Sequence, residues 1–187
     1  MSRNQSASME SWRRFAWRGK LSHMNAQTSR SIRSVATVAA FVLGCQLAGI
    51  LGAIFVSDAI PTWYAGLAKP FLNPPSWVFG PVWTILYAMM GIAAFLVWKQ
   101  GWKKTTVRTA LSLFGIQLVL NAAWSILFFG MRNPAIALVD IAMLWISIVL
   151  TIALFSKVSR PAAWMLVPYL CWVSFATYLN AAIWWLN

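Results

Sequence analysis

The chain has 187 residues, 60% hydrophobic and only 10% charged, where soluble domains carry about 45–50% and about 25%. A water-soluble fold of this size cannot bury that much apolar surface, which excludes a soluble globular enzyme and a disordered chain. The formal net charge is +12, from 15 Lys and Arg against three acids, Glu10, Asp58 and Asp140. Its distribution along the chain decides between a nucleic-acid partner and basic membrane loops.

Residues 1–34 form a basic, Ser- and Arg-rich tail, read as flexible or interfacial. Its stretch 12–18 mixes Trp12, Phe15 and Trp17 with Arg13, Arg14 and Arg18, which suits an anionic membrane surface. The same composition fits an organelle transit peptide, or an upstream start codon with Met24 as the true first residue. Residues 35–187 then read as a transmembrane domain. Five apolar runs, 35–56, 78–98, 109–129, 135–156 and 161–186, each reach the length of a membrane-spanning helix. They are apolar all round, unlike the alternating strands of a β-barrel. The expected fold is therefore all-α, a bundle of five transmembrane helices. Short connections at 130–134 and 157–160 make spans three, four and five antiparallel neighbours. The connection 57–77 is long and holds Pro61, Pro70, Pro74 and Pro75; it reads as a lid ordered by packing.

Orientation follows from Lys and Arg. The tail carries seven, the loop after span two carries Lys99, Lys103, Lys104 and Arg108, and the loop after span four carries Lys157 and Arg160; the opposite side has only Lys69 and Arg132. This places the N-terminus inside, and the C-terminus and the Pro-rich loop outside. Because the same asymmetry accounts for most of the net charge, no nucleic-acid partner is needed.

Orientation also assigns depth. Gln46, Gly49, Gly52 and Ala53 fall in the middle and outer half of span one. Phe79, Trp83 and Tyr87, spaced by four, share one face of span two. Gln117, Asn121, Trp124 and Phe128 make one stripe on span three. Asp140 lies near the outer end of span four, and Trp172, Ala176, Leu179 and Asn180 in the second half of span five. Polar groups in hydrocarbon turn to the bundle interior. The pattern therefore predicts an outer-half cavity lined by rings and amides beneath the loop, suited to a large, flat, mostly apolar ligand. Competing structural roles stand beside this reading. Gln117 and Asn121 either line the cavity or tie helices together, and Asp140 either meets a ligand or proton or serves a structural hydrogen bond. Trp residues at span ends anchor at the interface. Gly49, Gly52 and Ala53 permit close packing, Pro168 kinks the fifth helix, and Cys45 and Cys171 act as small core residues. With His23 as the single histidine, no metal site and no conventional catalytic constellation can be built.

Several motifs carry a resemblance. Trp63-Tyr64, Leu67-Ala68-Lys69-Pro70, Asn73-Pro74-Pro75, Val78-Phe79-Gly80-Pro81-Val82-Trp83-Thr84, Gln117-Leu118, Asn121-Ala122-Ala123-Trp124-Ser125 and the run 168–180 occur in order. Together they resemble the translocator protein family, also called tryptophan-rich sensory proteins (TspO/MBR), of the bacterial type. The resemblance implies a five-helix bundle, often a homodimer, with a pocket under the first loop. It implies a membrane-embedded binding protein or sensor for porphyrins and related tetrapyrroles, including haem-type ligands, with sterol-like or other apolar ligands as further candidates and no required cofactor. The resemblance implies Tyr64, Pro74, Pro75, Trp83, Asn121, Trp124, Trp172 and Ala176 as ligand-binding residues, and depth and helix face add Gln46, Gly49, Phe79, Tyr87, Phe128, Asp140 and Leu179. An alternative is light- and oxygen-dependent degradation of protoporphyrin through Trp83 and Trp172; a second is transport of tetrapyrroles or other apolar ligands. The animal sterol motif is not matched, because no basic residue follows Tyr178. The expected location is a bacterial plasma membrane, with the bacterial outer membrane and an organellar membrane as alternatives.

Overall fold

The computed structural model describes the backbone of residues 3–187 and the side chains of residues 31–187. The chain divides into two compact units, Met1–Ala39 and Ala40–Asn187. All regular structure among the described residues is helical: α1 (Arg3–Ala59), α2 (Phe79–Trp98), α3 (Thr105–Ser125), α4 (Pro134–Val158), α5 (Arg160–Met165) and α6 (Val167–Leu186). The tail expectation rests on side chains outside the described residues. Five segments are long and apolar enough to cross a membrane: Ser31–Ala59, Ser76–Trp98, Thr105–Gly130, Pro134–Val158 and Arg160–Leu186. The chain is a multi-pass integral membrane protein. Only helices satisfy every backbone polar group within one segment in lipid, which is why apolar run length maps onto element number.

Local chemistry sets the element ends. The side chain of Asn133 accepts from the Ile136 N–H at 3.1 Å, and Pro134 opens α4, so the first turn needs no further partner. Gly101 has φ +117, a conformation that favours glycine, and it turns the chain from α2 into α3. The helix of span three begins at Thr105, four residues before the apolar run, because charged Arg108 can sit on a helix at the membrane edge. Span five is two helices. Pro168 has no N–H for the carbonyl of Trp164, and the chain breaks at Leu166 between α5 and α6. The end of α3 widens into a π turn over Ile126–Gly130, with Met131 N–H bonded to Ile126 O at 2.8 Å. The extra residue in that turn lets consecutive Phe128 and Phe129 both point inward.

Within the second unit, α4 lies between α3 and the α5–α6 pair, and α2 packs on α3 and α5. The antiparallel neighbours expected from the short turns are therefore present. The part of α1 in this unit docks through glycines. A Cβ on Gly91 of α2 would strike the backbone of Phe41 and Val42; one on Gly52 would come within 2.9 Å of Ser125 Oγ. The core centres on Met90, Ile141, Leu144, Ile148, Phe155, Tyr169 and Val173, all at most 1% exposed.

Candidate functional site

The loop between α1 and α2 is held in place by polar contacts of its own. Tyr64, buried in the 3-10 turn Tyr64–Gly66, donates to Asn73 Oδ1 at 2.7 Å, and Asn73 Nδ2 donates to Pro74 O at 3.1 Å. Burial pushes the Tyr64 phenol up, and the Asn73 bond pulls it partly back. Lys69 Nζ donates to Ala65 O and Leu67 O, each at 3.1 Å, and lies 5.0 Å from the Tyr64 ring centroid. The Asn187 side chain clamps Ala68: it accepts from the Ala68 N–H at 3.0 Å and donates to the Ala68 carbonyl at 3.1 Å. Trp63 and Tyr64 rest on Phe128, with centroids 5.6 and 6.4 Å apart. The proline-rich segment is thus a packed cover on the bundle.

Beneath it lies a cavity of about 230 Å³ bounded by α1, α2 and α3. Trp83 and Tyr87 form one wall, stacked at 5.5 Å, with Trp124 and Phe129 on another and Tyr64 above. Gln46, Gly49, Ile50, Ala53 and Val56 supply the α1 side. No charged side chain lines it. Ile50, Ala53, Gly80 and Thr84 line the cavity and are exposed, so it opens sideways between α1 and α2 toward the lipid-facing surface. The polar hydrogens around it are largely committed. Gln46 Nε2 donates to Thr84 O, Thr84 Oγ1 to Gly80 O, and Trp124 Nε1 to Asn180 Oδ1.

Behind that wall runs a directed chain of hydrogen bonds. Tyr87 donates to Asn121 Oδ1, Asn121 Nδ2 donates to the Tyr169 hydroxyl at 3.1 Å, and Tyr169 donates to Gln117 Oε1 at 2.8 Å. It joins α2, α3 and α6. Asn180 Nδ2 extends the polar ties to Pro134 O of α4 at 2.7 Å. The last amide hydrogens of Gln117, one oxygen of Asp140 and the Trp172 indole nitrogen are buried with no protein partner.

The structure brings Gln46, Gly49, Tyr64, Phe79, Trp83, Tyr87 and Trp124 together around the cavity. It places the other candidates elsewhere. Asn121 sits one layer behind, tying two tyrosines, and Phe128 supports the cover. Pro74 and Pro75 lie in the loop leading into the turn before α2. Asp140, Ala176 and Leu179 are buried in helix packing. Trp172 packs edge-on against Phe79 at 6.0 Å, on α6 and outside the lining. Tyr169, the centre of the polar chain, was not among the candidates. A buried tyrosine needs a partner, and its place one turn before Trp172 was the available signal. Phe129 carried no signal, because the π turn that brings it inward is invisible in periodicity.

The model of the TspO/MBR family matches residues 41–186. The tryptophan-rich protein TspO of Chlorobaculum tepidum is 50% identical over 155 residues, covering 83% of this chain and 98% of that one. The protein of the same name from Archaeoglobus fulgidus is 43% identical over 155 residues, covering 82% and 99%. The human translocator protein is 42% identical over 146 residues, covering 77% and 86%. The covered cavity, the matched residues and these identities agree: the chain belongs to the TspO/MBR family of tryptophan-rich sensory and translocator proteins.

Proposed function

We propose that the protein is a membrane-embedded binding protein or sensor for porphyrins and related tetrapyrroles. The observation that carries this reading is the stacked Trp83–Tyr87 wall in a charge-free cavity under a proline-stiffened cover. Aromatic faces suit a flat macrocycle, whose burial is worth ~25 cal/mol per Å² of apolar area. The cavity volume of about 230 Å³ lies below the ~300–1,000 Å³ that encloses drug-sized ligands. A macrocycle therefore enters edge-first and fills the side opening between α1 and α2, or the cover lifts. Its carboxylates stay outside the uncharged interior. The Lys and Arg distribution supports the cover facing the outside. Binding is favoured over light-driven degradation because Trp172 is outside the cavity lining, packed edge-on against Phe79, and the resemblance implies that chemistry for Trp83 and Trp172 together.

The test is titration of protoporphyrin IX into the full chain in nanodiscs, followed by the porphyrin absorbance and by tryptophan quenching. Trp83→Ala is expected to weaken binding about tenfold or more, and Trp172→Ala by less than about twofold. Unchanged affinity in Trp83→Ala overturns the reading. Loss of porphyrin under illumination that requires both tryptophans would instead establish the degrading activity.

A further inference from the structure

A second concavity lies at the opposite end of the bundle. It is a groove of about 420 Å³ between the end of α4 and the α5–α6 segment, lined by Ile152, Ser156, Arg160, Ala163, Trp164 and Val167. Nothing in the tetrapyrrole reading uses it. Its lining changes in polarity along its length. Ile152 and Ser156 are one turn apart on α4, and Arg160 and Trp164 one turn apart on α5. Arg160 and Ser156 lie toward the connection between the helices; Ile152 and Val167 lie deeper in the span. Trp164 is 72% exposed and flanks the groove, as indoles do at the headgroup level of a bilayer.

Charge complementarity names the occupant. Lys99, Lys103, Lys104, Arg108, Lys157 and Arg160 gather at this end of the bundle. Among the described residues the acids are Asp58, at the end of α1 beside the cover, and buried Asp140 on α4. Neither is at this end, so among the described residues no carboxylate here pairs with Arg160. Ser156 donates its proton to Ala153 O at 2.8 Å and keeps its lone pairs as an acceptor. We propose that this groove is a binding site for an anionic glycerophospholipid. Its phosphate sits on the Arg160 guanidinium, a headgroup hydroxyl donates to Ser156, and an acyl chain lies along Ile152, Ala163 and Val167. Polar groups at the connection and hydrocarbon deeper in the span match a glycerophospholipid standing in a leaflet, and phosphatidylglycerol combines the anion with a headgroup hydroxyl.

Native mass spectrometry of the full chain in an equal mixture of phosphatidylglycerol and phosphatidylcholine tests this. The wild type is expected to retain one phosphatidylglycerol per chain with about fivefold preference, the worth of one basic side chain at an anionic surface. Arg160→Gln removes the preference, while Lys157→Gln, a neighbouring cation outside the groove, keeps it. Ile152→Trp fills the apolar end and lowers retention with the charge intact. Helicity measured by circular dichroism checks that each variant is folded. Equal loss in Arg160→Gln and Lys157→Gln means a diffuse basic surface and overturns the site, as does full retention in Ile152→Trp. Competition by inorganic phosphate at the lipid concentration means a soluble-anion site and overturns the lipid assignment.

Discussion

The two sides of the covered cavity are built differently. On the α3 and α6 side, Asn121, Gln117, Tyr169, Trp124 and Asn180 are interlocked by side-chain hydrogen bonds and buried to 9% exposure or less. On the α1 side, Leu47, Ile50, Leu51 and Ile54 are more than half exposed, and contact with α2 runs through Gly49, Gly91 and the Gln46–Thr84 bond. One wall is fixed by directional bonds whose alternative is an unsatisfied polar group in hydrocarbon. The other is held by close backbone approach and one side-chain hydrogen bond, and can part at the cost of those contacts. Under the proposed function, a ligand larger than the closed cavity is expected to displace α1 and the cover and to leave the Trp83–Tyr87 face in register.

Three substitutions separate the two walls. The largest effect is expected from Asn121→Leu, which strips a partner from both Tyr87 and Tyr169. The variant should lose about 2–3 kcal/mol of stability, read as a lowered melting temperature in detergent; an unchanged melt means the bonds do not hold the wall. Next is Gly91→Leu, whose Cβ meets the Phe41–Val42 backbone. Overpacking costs about 1–3 kcal/mol, and amide hydrogen exchange should rise over residues 40–59 and leave α3, α4 and α6 protected. A uniform rise would show that α1 belongs to the same rigid unit. The smallest effect is expected from Asn187→Ala, which releases Ala68. Exchange in residues 60–75 should quicken with the melt shifted by less than about 1 kcal/mol; slow exchange there would mean the clamp does not govern the cover.

Much of the site was legible because periodicity selects faces. The spacing of Phe79, Trp83 and Tyr87 put three rings on one side of α2, and all three line the cavity. The small residues Gly49 and Gly52 marked close approach of α1, and both meet a neighbouring side chain. Asn121 shows where this method stops. Its depth and stripe were evident, yet a stripe cannot tell a cavity from another helix, and Asn121 spends its amide on two tyrosines. Asp140 and Trp172 share that limit. Their polarity drew them toward the interior, but helix rotation and neighbour identity put them into packing and left one polar atom of each without a protein partner.

Residue order alone set the number of spans, their ends to within a few residues, and the concentration of rings and amides near the proline-rich loop. Hydrocarbon imposes those features locally, through run length and the cost of bare polar groups. Helix packing set the break at Leu166, the π turn that brings Phe128 and Phe129 inward together, and which rings face empty space. A cavity is volume that packing fails to fill, and that depends on how several helices are rotated against one another, which no single run of residues encodes.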